Sequence, residues 1–153
     1  MYKKIMVTLD GSTFSECSLE HLKAIAKGCQ VPDTVLMTVV EPIRPSAYAA
    51  YEIIDVDWPA KVEKDYHAQA EVHLSRLAGE LKKDGLSVQT VIVHGRPAEE
   101  ILNFAQNNKI DLIIIATHGR SGVSRWAFGS VADRVVRHSP IPVLIVAPSG
   151  CRQ

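Results

Sequence analysis

Ile113-Ile114-Ile115-Ala116-Thr117-His118-Gly119-Arg120-Ser121-Gly122-Val123-Ser124-Arg125-Trp126-Ala127-Phe128-Gly129-Ser130-Val131 decides how this chain is read. It opens as a continuous β-branched run. Such a run, bounded by turn residues, predicts a strand buried on both faces, as in a parallel sheet. It then enters a loop of Gly, Ser and Arg and returns to a helix start at Gly129-Ser130. Four more runs of the same kind occur: Ile5–Leu9, Val35–Val40, Val88–Val93 and Val143–Ala147. With Leu112–Ala116 they make five expected strands.

Helical stretches separate them. Ser15 to Lys27 carries Leu19, Leu22, Ile25 and Ala26 on one side, and Gly28 reads as its C′ residue. Pro59 to Lys83 carries one stripe through Val62, Tyr66, Ala70, Leu74, Leu77 and Leu81. Pro97 to Asn107 has proline near its first position, and Ser130-Val131-Ala132-Asp133 has the form of a capping box. Strand and helix alternate throughout, which predicts a single α/β domain built on a doubly wound, five-stranded parallel sheet. Ligands of such sheets sit beyond the carboxyl ends of the strands, at the switch point.

Composition narrows the function. The chain has 153 residues, 46% hydrophobic and 22% charged, and 17 Lys and Arg balance 17 Asp and Glu. One soluble domain is expected, and neither a nucleic-acid partner nor a membrane. Charge is uneven: Glu41–Asp65 has six acids against three bases, Ala116–Ser139 four arginines against one aspartate. An anionic ligand belongs with the second stretch. The three cysteines are odd in number and contain no C-x-x-C, so no disulfide framework or zinc knuckle is expected. Asp10 interrupts the short N-terminal apolar run, so no signal peptide is read and a cytoplasmic location is expected.

Two loops carry candidate chemistry. Glycines let backbone N–H groups approach phosphate oxygens, and a helix N-terminus adds free donors and partial positive charge. Gly119, Gly122, Gly129 and Ser130, with Arg120 and Arg125 nearby, supply the parts of a phosphate cradle. The same residues also read as a tight turn before a capped helix, with no ligand. Asp10, at the end of the first strand, could accept hydrogen bonds from ribose hydroxyls or serve as a turn residue. His67 and His73 are six apart, off any one helical face, and read as solvated. No Ser, Cys or Asp has an evident base partner, so no nucleophilic triad is read. The long segment from Glu41 to Trp58 reads as mobile or partner-contacting.

Four segments in order resemble the universal stress protein family, over essentially the whole chain. They are Tyr2–Ser12; His94–Ile101; Asp111–Gly122; and Gly129–Val135 followed by Pro140–Val146. Gly119, nine residues and Gly129-Ser130 match the second half of that family's G-x2-G-x9-G-[ST] nucleotide motif. Ala116 stands at its first glycine, and Thr8 stands where the family often has proline. The resemblance implies a Rossmann-like, flavodoxin-like domain over 1–149 with a short tail at 150–153, binding ATP as a stress-response sensor or regulator. In it Asp10 would hold the ribose, Thr8 would add a mostly apolar contact, and the Val39 backbone would meet adenine. Ala116, His118, Gly119, Arg120, Ser121 and Gly122 would wrap ribose and phosphates, and Gly129, Ser130 and Val131 would bind the phosphates. Mg²⁺ or Mn²⁺ would ride on them, and a homodimer would form through Val143–Ala147, with a further protein partner unknown. The departures at Ala116 and Thr8 leave a second reading open, the same fold acting as a nucleotide-free interaction module. A third is a weak ATPase, for which Asp133 is the one acid close in sequence to the phosphate motif. Any ATP hydrolysis is expected to be slow and incidental.

Overall fold

The computed structural model describes residues 2–43, 57–117 and 129–147. Its elements are β1 (Lys4–Thr8), α1 (Thr13–Glu16), α2 (Ser18–Gly28), β2 (Asp33–Val40), α3 (Trp58–Lys83), β3 (Val88–His94), α4 (Pro97–Asn107), β4 (Leu112–Ala116), α5 (Ser130–His138) and β5 (Val143–Val146). All five strands form one sheet in the order β3-β2-β1-β4-β5. Every neighbouring pair is parallel. The chain builds outward from β1 to β3, then crosses back to β4 on the other side. The switch point therefore lies between β1 and β4.

The continuous apolar runs have the cause expected of them. Ile5, Met6 and Val7 are successive and point to alternate faces, yet each is 0% exposed. One face packs Ile5, Val7, Leu36 and Ile114 beneath Leu22, Leu74, Leu77 and Leu81 of α2 and α3. The other packs Met6, Val35, Met37 and Ile113 beneath Ile101 and Ala105 of α4 and Ala132 and Val135 of α5. Each fully buried aliphatic side chain contributes about 1.5–3 kcal/mol, so both layers of helices are held by burial.

The helix ends depart from the sequence reading in informative ways. The expected helix from Ser15 begins earlier, at Thr13, because Ser12 caps it by accepting the Ser15 N–H. It is divided at Cys17 into α1 and α2. Gly28 is helical, and the left-handed residue is Gln30, at φ 52°. Only the last half of the α3 stripe is core: Leu74, Leu77 and Leu81 are buried, while Tyr66 is 51% exposed. Cys17 is disulfide-bonded, contrary to the expectation from the cysteine count, and Cys29 is a free thiol. No helix among the described residues is long and apolar enough to cross a membrane.

Candidate functional site

β1, β2 and β4 end side by side. Leu9 continues the β1 line by donating its N–H to the Met37 carbonyl at 2.8 Å. The chain then turns sharply at Asp10, where Gly11 takes φ +83°, a value that suits a residue without Cβ. The turn is fixed by Asp10 Oδ1, which accepts the Ser12 N–H at 2.9 Å and the Ser12 hydroxyl at 2.6 Å. Ser15 Oγ donates to the Ser12 carbonyl at 2.8 Å. Asp10 is thus a turn residue held at the carboxyl edge of the sheet.

A cleft of about 220 Å³ opens there. Thr8, Asp10 and Val39 line it from β1 and β2, Ala116 from β4, and Gly129, Ser130 and Val131 from the start of α5. These seven are all of the described candidates for a nucleotide site, and the fold brings them together across more than a hundred residues of sequence. The remaining candidates, His118, Gly119, Arg120, Ser121 and Gly122, lie outside the described residues, as does Arg125. The inner wall is apolar: Met37, Ile101 and Ile115 line it as well. No motif spacing marks those three, because they also obey the ordinary core periodicity of their strands and helix. The volume falls below the roughly 300–1,000 Å³ of drug-sized ligand pockets.

The start of α5 differs from the expected capping box. Gly129, not Ser130, is the N-cap, and no side chain caps the helix. Its carbonyl accepts the Asp133 N–H at 2.9 Å. The preceding N–H groups, of Ser130, Val131 and Ala132, are the ones a helix leaves without intrahelical partners, and these residues line the cleft. Asp133 points elsewhere: its two oxygens accept from Arg137 Nε at 2.9 and 2.8 Å. That pair raises the Arg137 guanidinium further above its ordinary range. Beyond Ser130 and Val131 the surface continues to Arg96 and Arg134. Among the described residues, no group of three or more His, Cys, Asp or Glu could hold a metal.

The histidines of α3 are not simply solvated. His67 Nδ1 lies 2.9 Å from His94 Nε2, at the end of β3. The His73 side chain is only 19% exposed, with Nε2 3.7 Å from Glu16 Oε1. Both contacts join positions far apart in sequence, so spacing along the helix could not reveal them.

The universal stress protein family model matches residues 1–147. Universal stress protein MJ0531 of Methanocaldococcus jannaschii is 32% identical over 148 residues, covering 95% of this chain and 82% of that protein. The solved structure of protein MJ0577, from the same organism, has a TM-score of 0.79 at 30% identity, covering 96% of each chain. A universal stress protein in complex with cAMP has a TM-score of 0.70 at 24% identity, covering 95% of this chain and 97% of its own. A family member from Arabidopsis thaliana with AMP bound scores 0.69 at 17% identity, covering 95% and 91%. The last two, at lower identity, bear on the fold.

Proposed function

Because the chain belongs to the universal stress protein family, we propose that the cleft at the switch point binds an adenine nucleotide, with ATP as the ligand. The bound nucleotide sets the conformation or partner affinity of a stress-response regulator. One observation carries this reading. Seven residues drawn from four separate segments line a single cleft beside the open N-terminus of α5. The apolar wall of Met37, Ile101 and Ile115 suits the base, which meets the Val39 backbone, with Thr8 beside it. Asp10 receives the ribose hydroxyls. The N–H groups of Ser130 and Val131, with Gly129, receive phosphate oxygens, as helix N-termini do. Ala116, His118, Gly119, Arg120, Ser121 and Gly122 complete the enclosure in this proposal. Relatives of the same fold solved with AMP and cAMP support the adenine part.

A divalent ion, Mg²⁺ or Mn²⁺, would be held by the phosphates, since the described residues offer it no ligand cluster. Its chemistry there is charge neutralisation. No catalytic residue is assigned; Asp133, the acid close in sequence to the phosphate motif, pairs with Arg137. ATP turnover is accordingly slow and incidental in this reading. We assign residues 1–149 to one domain and 150–153 to a tail. We also place the protein in the cytoplasm, with no nucleic-acid or membrane partner. The Cys17 disulfide weighs against that location, and cell fractionation decides.

A homodimer through the last strand completes the proposal. Pro142 and Val146 carbonyls accept from Ile113 of β4 and from Thr117 just beyond it. In a parallel ladder alternate residues face the same neighbour, so Val143 and Ile145 turn their backbone groups outward. An outward-facing strand edge favours pairing with a second copy. Ile145→Pro removes one outward N–H and is expected to give folded monomers in analytical ultracentrifugation; an unchanged dimer places the interface elsewhere.

A second reading, a nucleotide-free interaction module, is favoured by one residue: Ala116 puts a methyl on the cleft wall. Native mass spectrometry after adding ATP and Mg²⁺ separates the two. The proposal expects a dimer carrying one ATP per subunit, and less than about a threefold change in affinity for Ala116→Gly, a difference of about 0.65 kcal/mol. An empty wild-type dimer that fills only in Ala116→Gly establishes the second reading.

A further inference from the structure

α3 is longer than the sheet it covers. At 1.5 Å per residue its 26 residues run about 39 Å. The eight residues of β2, at about 3.3 Å each, run about 26 Å. The first third of α3, about nine residues, therefore overhangs the carboxyl edge of the sheet. Where the overhang meets the sheet lies a second cleft, of about 560 Å³. Thr38 and Glu41 at the end of β2, and Tyr66, Gln69 and His73 of α3, line it. Thr38 alternates with Leu36, which packs under α2 and α3, whereas Val35 and Met37 pack under α4 and α5. The Thr38 wall of the second cleft is thus on the opposite face of the sheet from the nucleotide cleft, and the two clefts meet at the sheet edge, where Asp10 and Val39 line both.

Two side-chain atoms on its walls are buried without a hydrogen-bond partner: Thr38 Oγ1 and His73 Nε2. Thr38 is 8% exposed. An unpartnered buried hydroxyl destabilises a fold and calls for an explanation. The Glu16 carboxylate does not relieve His73. It lies 3.7 Å away, beyond hydrogen-bond reach, and Arg76 Nη2 holds it at 2.9 Å.

The chemistry of the walls selects a class of ligand. Thr38 Oγ1, Gln69 Oε1, the Glu41 carboxylate and, in its Nδ1–H tautomer, His73 Nε2 can all accept hydrogen bonds. Tyr66 offers an aromatic ring to a cation. The described lining contains Asp10 and Glu41 and no Lys or Arg, so an anion would meet only repulsion from formal charges. An ammonium group brings three N–H donors and one positive charge. We propose that this cleft is a second ligand site, adjoining the nucleotide cleft, which takes a small aliphatic amine in its ammonium form.

The test is an amide ¹H–¹⁵N titration of the full chain, free of nucleotide, with cadaverine, and with 1,5-pentanediol as the uncharged control. Saturable shifts are expected at Thr38, Gln69 and Ala70, with half-saturation on the order of a millimolar, and none with the diol. Glu41→Gln lies at an exposed position and keeps the fold; it is expected to weaken binding about tenfold. Thr38→Val keeps the shape and removes the orphan hydroxyl. It is expected to raise the melting temperature while weakening cadaverine several-fold, opposite signs that a purely structural hydroxyl would not produce. No saturable shift, equal shifts with the diol, shifts spread over the acidic surface, or full affinity in Glu41→Gln would each overturn the proposal. The titration is run without nucleotide, so these outcomes bear on the amine alone, and the nucleotide reading stands or falls with the ATP measurement.

Discussion

The two edges of the sheet are built to different rules. At the amino edge, polar groups are paired within the chain. Asp111 Oδ2 accepts the Lys3 N–H at 2.6 Å and the Lys4 N–H at 2.8 Å. Thr34 donates its hydroxyl to the Ser87 carbonyl at 2.6 Å. At the carboxyl edge, Thr38 Oγ1 has no partner, α5 starts without a side-chain cap, and both clefts open there. Buried polar groups are normally satisfied, so an edge where they are not is where an outside partner is to be expected. One edge holds the fold, and the other is available for binding.

Substitution at each edge should separate these roles. The largest effect is expected from Gly129→Glu. A carboxylate beside the opening N–H groups of α5 occupies them and repels phosphate. Nucleotide affinity should fall about a hundredfold or more, equivalent to about 2.7 kcal/mol, with the melting temperature nearly unchanged. Isothermal titration calorimetry and thermal unfolding measure the two sides. Retained affinity would displace the phosphates from α5.

Asp111→Ala should give the reverse pattern. It removes a charged acceptor shared by two backbone donors and is expected to destabilise the protein by about 1–2 kcal/mol while leaving nucleotide affinity alone. The pH dependence has a defined sign. The Lys3 and Lys4 N–H groups, by donating to it, hold the Asp111 carboxyl below the usual carboxylate range. A group depressed in the folded state stabilises above its unfolded value, near pH 4, and that contribution is lost as pH falls through the folded value. The stability gap between wild type and Asp111→Asn, read from urea unfolding, should therefore be full at pH 7 and shrink below about pH 4. A gap that persists at acid pH would show that shape rather than charge holds the two strands' starts.

The contrast between edges also explains what could be read from sequence. Ile5-Met6-Val7 and Ile113-Ile114-Ile115 announce strands covered on both faces, because nothing else makes such runs stable in water. Asp10, Ala116 and Gly129 could be marked because strand ends, glycines and helix starts are local features. The α3 stripe shows the limit. Periodicity says which side of a helix is apolar, not how far the sheet opposite it extends, so Tyr66 looks identical to Leu74. His67 and His94 meet only because β2 places α3 against β3. Ser130 takes an N-cap signature that Gly129 fulfils, since a cap depends on backbone geometry as much as on side-chain chemistry.

The smallest effects concern how the helices turn back at the amino edge. α2, α3 and α4 end alike: Val31, Leu86 and Ile110 donate to the carbonyls of Ala26, Leu81 and Ala105 at 2.9, 3.1 and 3.0 Å. This return requires a left-handed residue just before the donor. Gly85 supplies it after α3 at φ +86°, whereas Gln30 and Lys109 hold φ 52° and 53° after α2 and α4. A side chain in that conformation is strained by about 1–2 kcal/mol, and glycine gives part of the relief back as unfolded-state entropy. Gln30→Gly and Lys109→Gly should each stabilise the protein by roughly 0.5–1 kcal/mol. Gly85→Ala should destabilise it by about 1 kcal/mol through φ alone, because nothing lies within 4 Å of the added methyl. Opposite signs at the three equivalent positions, measured by urea unfolding, would establish that backbone conformation governs this edge. Equal signs would mean that the side chains of Gln30 and Lys109 contribute contacts outweighing their strain.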